Sequence, residues 1–302
     1  MTKNQIVDGL LVINKPRGMT SFDVVSRVRR IIGQKKVGHA GTLDPNVDGV
    51  LVVALGKATK LIDELQTRPK SYIGEITLGF STETEDLDGE IVDQLDIVTP
   101  FSGQKIDQAI QQLNGEITQR PPMYSAVKVN GKRLYEYARN GETVERPVRK
   151  AVIHDFKRTS GIKFIDGKQV FKFEATVSKG TYIRTLAVDA GKIIGIPATM
   201  TQLTRTMGSG FKISEARDLD FLSTLSYEEV LKQVIPIREV LKWPTKNLSE
   251  NEWFAVKNGQ KISSWPANDS YLQLYYQNKL KAVYQYDEIE QLWRSRYVFD
   301  NQ

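Results

Sequence analysis

The chain of 302 residues contains no cysteine and only two histidines, His39 and His154. Without cysteine, neither disulfides nor thiolate metal sites can form. The two histidines are far apart in sequence and do not match the ligand spacing of a zinc site. The GxxxxGK[ST], HExxH and GxSxG motifs are also absent. These absences argue against nucleotide-dependent and zinc-dependent chemistry, although spacing alone still allows a Ser–His–Asp triad.

Long apolar segments are missing as well. No run approaches the roughly 20 apolar residues of a membrane-spanning helix. The first fifteen residues, MTKNQIVDGLLVINK, show neither a long apolar core nor a cleavage-like site, which indicates that there is no signal peptide. Hydrophobic residues make up 40% of the chain and charged residues 26%, as in ordinary globular proteins. We therefore expect a cytoplasmic protein without membrane contacts.

The positive charge of the chain is concentrated in one segment. The formal net charge is +6, and residues 120–150 carry eight basic and three acidic residues, a net charge of +5. A charge run is usually only a solvated face. Here three tyrosines interleave with the charges beside an Asn-Gly turn signal, which favours a clamp for phosphates and bases. The basic residues are Arg120, Lys128, Lys132, Arg133, Arg139, Arg146, Arg149 and Lys150, and the tyrosines are Tyr124, Tyr135 and Tyr137.

Hydrophobic periodicity and turn residues predict an alternation of strands and helices. Predicted strands cover residues 9–14, 49–56, 70–79, 151–157 and 169–177. Predicted helices cover residues 20–32 (stopped by Gly33), 58–65, 102–114 (closed by Gly115) and 181–194 (stopped by Gly195). Asn130-Gly131 is a hairpin turn signal, and residues 226–229 and 249–252 have the capping-box pattern.

The composition changes near residue 241. All four tryptophans and six of the twelve tyrosines lie beyond this point, in short segments of period-2 character. Eight basic and seven acidic residues nearly cancel there, so this part should contribute little to electrostatic affinity. The pattern predicts a domain over residues 1–240 and a small, mostly β module over residues 241–302.

The stretch GHAGTLDP, residues 38–45, concentrates functional residue types. Asp44 stands between glycines and a proline, and an isolated Asp-Pro is most often a turn aspartate that bonds its own backbone. Lys15, Pro16 and His39 lie nearby, in two short loops that follow apolar segments, and ordered loops on a rigid scaffold commonly carry function. The acids of residues 83–88 could bind a cation, but Gly89 favours a solvated turn.

Seven segments together resemble the bacterial tRNA pseudouridine-55 synthases, the TruB family. They occur in the family's order and cover most of residues 9–210. The segments are KPRGMTS, GHAGTLDPNVDGVL, KSYIGEITLG, STETEDLDGEIV, RPPMYSAVKVNGKRLYEYARNG, KGTYIRTLAVDAG and TQLTRT. The resemblance implies an α+β catalytic domain whose central mixed, largely antiparallel sheet is flanked by helices. It also implies that residues 120–150 form a thumb that closes on RNA and that residues 241–302 form a β-barrel-like, PUA-type RNA-binding module.

The resemblance further implies isomerisation of uridine to pseudouridine at position 55 in the T-loop of tRNA, with the base flipped out of its stack. Such a reaction requires no cofactor and no metal. Asp44 would be the catalytic carboxylate and would either trap the sugar or attack the pyrimidine ring. Arg184 would pair with Asp44, and we expect this pair to hold the pKa of the acid down. Asp48, if it came close, would oppose ionisation.

The remaining site residues are also implied by the resemblance. Tyr72 would stack on the uracil, Tyr182 and Leu203 would line the pocket, and His39 would take part in RNA binding. Lys15 would support the loop of Asp44. Each has a simpler reading as a strand aromatic, a core residue or a structural histidine, and Arg184 could be a surface charge.

Two other functions stay open at this point. The first is a tRNA-binding or RNA-folding protein whose catalysis is dispensable, since the basic segment and the tail suit that role equally well. The second is a metal-dependent nuclease that uses residues 83–88, which would be sensitive to EDTA. For the preferred reading, we expect a monomer whose partner is the T-stem-loop of tRNA.

Overall fold

The computed structural model describes residues 6–300. The prediction that the chain has no signal peptide rests partly on residues 1–5, which lie outside the described residues. Within residues 6–300, no helix is both long and apolar enough to traverse a bilayer. The α-helices are α1 (Ser21–Ile32), α2 (Ile62–Thr67), α3 (Gly103–Gln111), α4 (Leu134–Arg139), α5 (Ile183–Ile194), α6 (Leu219–Thr224), α7 (Tyr227–Lys232), α8 (Ile237–Val240) and α9 (Glu250–Lys257).

The strands form one large sheet, one four-stranded C-terminal sheet and two small ribbons. The strands are β1 (Gly9–Lys15), β2 (Val37–His39), β3 (Asp48–Leu55), β4 (Lys70–Leu78), β5 (Phe80–Thr82), β6 (Ile91–Gln94), β7 (Gly115–Gln119), β8 (Lys128–Val129), β9 (Lys132–Arg133), β10 (Arg149–Arg158), β11 (Lys163–Ile165), β12 (Lys168–Val177), β13 (Ala198–Gly208), β14 (Phe211–Lys212), β15 (Arg217–Asp218), β16 (Thr245–Asn247), β17 (Tyr271–Tyr276), β18 (Lys279–Asp287) and β19 (Leu292–Val298).

The large sheet has the order β15-β1-β3-β13-β4-β12-β10-β7, and β2, β11 and β14 extend it at the sides. The pairs β1–β15 and β3–β13 are parallel, and the other pairs are antiparallel. The prediction of a mixed, largely antiparallel sheet flanked by helices is therefore confirmed. Strand β13 comes late in the chain but pairs with both β3 and β4. It thereby joins the two N-terminal segments that carry the site.

Helix α1 shows how local sequence sets an element. Thr20 caps it through a capping box with Asp23, and Gly33 ends it in a left-handed conformation with φ 72°. The apolar side chains of Val24 and Val28 recur at helical spacing and are fully buried against the sheet. The helix is therefore fixed to the sheet beside the loops that follow β1 and β2.

The sheet is buried on both faces at β1 and β3, whereas β10 and β12 bury one face and expose much of the other. One face packs under helices that include α1, α3 and α5 in a single large core cluster. The other face, which includes Leu10 and Val52, packs against α8 and against Val283 and Phe299 of the C-terminal part. That part has its own aromatic cluster, in which Trp253, Trp265, Tyr284 and Trp293 are buried. The predicted period-2 strands are confirmed as β17 and β18.

Two predicted helix boundaries were wrong. Helix α3 is capped by Ser102 as expected, but it ends at Gln111. Gly115 instead begins β7, with φ 94°, a conformation that glycine adopts without steric cost. The predicted helix over residues 58–65 begins as a 3-10 helix over Gly56–Leu61 and continues as α2. The periodicity located both segments but did not fix their ends.

Candidate active site

Asp44 lies in residues 40–47, the Asp44 loop, which connects β2 to β3. Lys15, at the end of β1, is completely buried, and its Nζ donates a hydrogen bond to the carbonyl of Pro45 at 3.0 Å. The same ammonium group also donates to carbonyls of the loop after β1, at Pro16 and Met19. Lys15 therefore links the loop after β1 to the Asp44 loop, and both loops contain the sequence motifs. This geometry agrees with a supporting role rather than a reacting one.

Burial affects the charge of Lys15. Desolvation lowers the pKa of its ammonium group to about 8, although the carboxylates of Asp48 and Asp44 oppose this shift. The three carbonyl acceptors stabilise the group inside the protein.

Asp44 opens into a cleft of about 240 Å³. The walls come from the Asp44 loop, Arg17, residues 86–88 and residues 200–203. Of the Asp44 side chain, 41% is exposed, so a substrate can reach the carboxylate. Leu203 lines the same cleft and supplies an apolar surface beside the acid.

Arg184 pairs with Asp44 as predicted. Its Nη2 lies 3.1 Å from Oδ2 of Asp44, and only 7% of the Arg184 side chain is exposed. Nη1 lies 3.3 Å from Oδ2 of Asp86, so one guanidinium group bridges two carboxylates. Its nitrogens also donate to the carbonyls of Thr84 and Tyr124 at 2.8 and 3.0 Å. The buried cation is thus held by neighbours on three segments, and the reading of Arg184 as a surface charge is wrong.

The Arg184 guanidinium does lower the pKa of Asp44, as expected, but the net shift of this pKa is upward. Desolvation raises the pKa of this carboxyl above its usual value, and the nearby Arg184 guanidinium only partly opposes the shift. Asp86 and Asp88 raise the pKa further. Asp48 does not act as the competing acid, because its carboxylate accepts a hydrogen bond from Thr204 at 2.6 Å and pairs with Arg17.

Residues 83–88 are not simply a solvated turn. Asp86 is half-buried, and its Oδ1 accepts hydrogen bonds from the hydroxyl of Thr84 and the amide of Asp88. Within residues 6–300, no group of three or more histidine, aspartate and glutamate side chains is arranged to hold a metal ion. Of the acids in this segment, Asp86 pairs with Arg184 at the edge of the cleft, whereas Glu85 accepts from Thr185 and Asp88 from Asn46.

Tyr182 directly precedes helix α5 and lies beside the base of the thumb. The side-chain amide of Gln119, at the end of β7, accepts from the Tyr182 amide at 3.0 Å and donates to its carbonyl at 3.3 Å. Gln119 is almost completely buried. Burial raises the pKa of the Tyr182 phenol. The thumb base is therefore tied to the start of the helix that carries Arg184.

Tyr72 and His39 are less directly connected to the acid. Tyr72 is buried in β4 between Ala175 and Arg205, in the same core cluster as Leu203. His39 ends β2 and is half-buried. Neither residue is among those that line the Asp44 cleft. Burial lowers the pKa of His39, which favours the neutral imidazole.

Sequence reasoning missed several residues that hold the site. Asp86 was read as part of a turn, although Thr82 and Thr84 at two-residue spacing signal a hydroxyl-bonded aspartate. Arg205 was not identified from the sequence, although it lies two residues after Leu203 and therefore on the same face of β13. Strand parity could therefore have placed it next to a predicted pocket residue. Gln119 gave no signal, because its partner lies 63 positions away.

Comparisons with known proteins show the family of the chain. Residues 29–183 match the family model described as TruB family pseudouridylate synthase, N terminal domain. The chain is 44% identical to tRNA pseudouridine synthase B of Lactiplantibacillus plantarum, over 97% of this chain and 99% of that one. It is 48% identical to tRNA pseudouridine synthase B of Pediococcus pentosaceus, over 93% of this chain and 95% of the other.

A solved structure has the same fold. The chain superposes on a chain of a Cbf5-Nop10-Gar1 complex with a TM-score of 0.64 and 25% identity, over 92% of this chain and 78% of that one. A Nop10-Cbf5 complex from an archaeal box H/ACA particle gives a TM-score of 0.66 at 22% identity, over 99% and 89% of the two chains, and shows the fold alone. From the sequence matches over nearly the whole length, the chain belongs to the TruB family of pseudouridylate synthases.

Proposed function

We propose that this enzyme isomerises uridine to pseudouridine at position 55 in the T-loop of tRNA, with Asp44 as the nucleophile. One observation carries the proposal: the exposed carboxylate of Asp44 is paired at 3.1 Å with a buried arginine, inside a cleft that also presents an apolar side chain. The curated relatives are named tRNA pseudouridine synthases, which supports tRNA as the substrate.

The chemistry needs little more than that carboxylate. The N1–C1′ bond of the nucleotide breaks, the uracil turns, and a C5–C1′ bond forms. The C5 proton is lost and N1 gains a proton, so the product is an isomer. Ionised Asp44 forms a transient bond to the sugar or to the ring, and Arg184 stabilises the carboxylate between the two steps. No oxidant or phosphate donor enters this balance.

The target base must leave its stack to reach Asp44, which costs a few kcal/mol. We propose that Tyr72 stacks on the uracil, that Leu203 and Tyr182 enclose it, and that His39 helps to hold the opened loop. Tyr72 in β4 lies opposite Arg205, two residues after Leu203 in the neighbouring strand β13, which supports a common wall for the base. Lys15 would keep the Asp44 loop in place beneath it.

Binding of the RNA is assigned to the thumb and to the C-terminal module. Residues 120–150 carry a net charge of +5, and most of their basic side chains are exposed or half-buried. We propose that they grip the T-stem-loop through phosphates and stacked bases. Residues 241–302 would form a separate PUA-like RNA-binding module on a domain of residues 1–240. The enzyme would act as a cytoplasmic monomer.

The test is direct. Unmodified tRNA is incubated with the enzyme and no added cofactor, and pseudouridine is then mapped by position, with Asp44→Asn as the control. We expect product at position 55 with the parent and none with the variant. Tight tRNA binding without product by the parent would instead support an RNA-folding role, and loss of product with EDTA would favour a metal-dependent activity.

A further inference from the structure

A buried guanidinium group lies under the Asp44 loop, where neither substrate nor solvent reaches it. Arg205 in β13 is 2% exposed, and no carboxylate of residues 6–300 forms an ion pair with it. Burying a charge without a counter-charge is costly unless its donors are satisfied in another way. The three nitrogens of this group donate to main-chain carbonyls instead, which raises the question of what those carbonyls position.

The acceptors flank Asp44 on both sides. Nη2 donates to the carbonyl of Gly41 at 3.1 Å and Nη1 to that of Thr42 at 3.3 Å, both just before the acid. Nε donates to the carbonyl of Val50 at 2.7 Å, in the strand that follows the loop. A planar guanidinium group spreads its donors in a fixed fork, so the three bonds set the distance between the start of the loop and β3.

The backbone of Arg205 fixes the same region a second time. Arg205 pairs with Gly49 of β3, and Gly49 has φ 107°. A Cβ at residue 49 would lie 2.2 Å from the Arg205 carbonyl oxygen, so only glycine allows this approach. Gly49, four residues after Pro45, is therefore required by the close approach of β13.

The other loop carbonyls are also held from within. The hydroxyl of buried Ser21 donates to the Leu43 carbonyl at 3.1 Å and accepts from the Leu43 amide at 2.9 Å. Ser209 donates to the Ala40 carbonyl at 3.3 Å. Ser21 of α1 and Lys15 of β1 thus hold the residues immediately before and after Asp44.

We propose that Arg205 is a positioning residue for catalysis, with Ser21 as a second grip. Given the proposed role of Asp44, Arg205 fixes the backbone path of residues 41–50, so that the carboxylate stays in line with Arg184 and the bound nucleotide. Because the guanidinium group is buried and internally bonded, it makes no contact with RNA phosphates. Its loss should therefore slow the reaction without weakening tRNA binding.

The test uses Arg205→Lys, which keeps the charge but cannot span three separated carbonyls. Arg158→Lys is the matched control, because the half-buried Arg158 donates to Asp107 and to the carbonyl of Ser160, away from the loop. For each variant we would measure the single-turnover rate at saturating enzyme, the Kd for tRNA, the Tm, and deuterium uptake over residues 38–50.

We expect Arg205→Lys to lower the single-turnover rate about 10- to 100-fold, the loss typical of a reacting group displaced by about 1 Å. Its Kd should stay within about twofold, since no phosphate contact is removed, and deuterium uptake should rise over residues 38–50. Arg158→Lys should keep the parent rate. A rate for Arg205→Lys that equals that of Arg158→Lys, or a loss confined to Kd, would overturn the proposal.

If Arg205→Lys does not fold, Ser21→Ala decides. It removes both bonds to Leu43, and Thr199→Val serves as its control, because buried Thr199 donates to the distant Phe80 carbonyl. The proposal is supported if Ser21→Ala slows turnover at unchanged Kd and Thr199→Val does not. It is rejected if Ser21→Ala turns over at the parent rate. Absence of product at position 55 with the parent enzyme would instead reject the proposed function, while deuterium uptake would still report whether Arg205 holds the loop.

Discussion

The Asp44 loop and the thumb are built in opposite ways. In the loop, Ala40, Leu43 and Val47 are buried, and internal donors satisfy the carbonyls that flank the acid. In the thumb, Val127 and Leu134 are, apart from two prolines, the only buried apolar side chains among its described residues. The polar groups of the thumb are largely at the surface.

This difference separates two tasks. A reacting carboxylate must be held within a fraction of an ångström, which requires packing and satisfied hydrogen bonds around its backbone. An RNA clamp works through phosphate charge and stacking, which tolerate displacement and depend on exposure. The two regions meet at Arg184, whose Nη2 contacts both Asp44 and the Tyr124 carbonyl of the thumb.

The largest effect is expected from Asp44→Asn. Removing the nucleophile should lower the single-turnover rate by more than about 10³-fold, as for other enzymes that lose their nucleophile. The Kd for tRNA should hardly change, because one neutralised acid removes no phosphate contact. Quench-flow turnover and filter binding measure the two quantities. Normal turnover by this variant would remove Asp44 from the mechanism.

The next largest effect is expected from Arg184→Lys. A lysine keeps the charge but cannot reach Asp44, Asp86 and two carbonyls at once. We expect the rate to fall by roughly 10²-fold, as when one donor is removed from a preorganised site. Lys192→Arg, on the exposed side of α5 where Lys192 pairs with Asp189, is the control. Equal rates for the two variants would contradict a role for the ion pair.

Tyr72 should matter through its ring. Tyr72→Phe keeps the stacking surface and should retain nearly the parent rate, whereas Tyr72→Ala should lose about 1–3 kcal/mol of base stacking. Single-turnover rates for both variants, with Tm as a check on folding, test the assignment. If the two variants behave alike, the base does not stack on this ring.

A smaller effect is expected in the thumb, and it should differ among its charges. Lys132 pairs with Glu142 at 2.7 Å, so it is already partly neutralised. The guanidinium carbons of Arg133 and Arg139 lie instead 5.8 and 5.3 Å from the centroid of the Tyr135 ring. Changing both to Gln should reduce the slope of log Kd against log salt concentration by about 1 for each phosphate that is no longer bound.

Lys132→Gln should reduce the slope of log Kd against log salt concentration less than Arg133→Gln or Arg139→Gln alone. Lys157→Gln, outside the thumb and paired with Asp155, should leave it unaltered. An unchanged slope in the arginine double variant would place the RNA footprint elsewhere.

The smallest effects concern pH. Because the pKa of Asp44 is raised in the folded state, turnover should fall on acidification at a higher pH than for an ordinary aspartate. Folding favours the neutral form of Asp44. The stability gained from this preference is therefore present below the pKa of Asp44 in the unfolded state and is lost as the pH rises through its pKa in the folded state. Asp44→Asn should therefore gain Tm relative to the parent at pH 8 more than at pH 4. The opposite trend would mean that Arg184 outweighs desolvation.

Local patterns predicted the scaffold well. Thr20 and Gly33 bound α1, Asn130-Gly131 forms the turn of a short hairpin, and Ser226 caps α7, because each depends on residues a few positions apart. The predicted partnership of Asp44 with Arg184, 140 positions along the chain, came from the family resemblance and not from the pattern itself. Its geometry is confirmed, although the catalytic roles of the two residues remain proposals.

What the sequence could not supply is the result of long-range pairing. Arg205 reaches Gly41 and Thr42 only because β13 inserts between β3 and β4. Asp86 reaches Arg184 because the ribbon of β5 and β6 folds over the start of α5. The sign of the Asp44 pKa shift depends on the balance of burial against charge, and only coordinates can give that balance.

The most direct test of the central claim measures single-turnover rate and tRNA Kd together for Asp44→Asn and for the Arg133→Gln, Arg139→Gln double variant. If the Asp44 loop carries the reaction and the thumb binds RNA, the first variant should lose turnover and keep its affinity for tRNA. The second should lose affinity and keep nearly the parent rate at saturating enzyme. If both variants lose rate and affinity in the same proportion, the division of tasks between the two regions is contradicted.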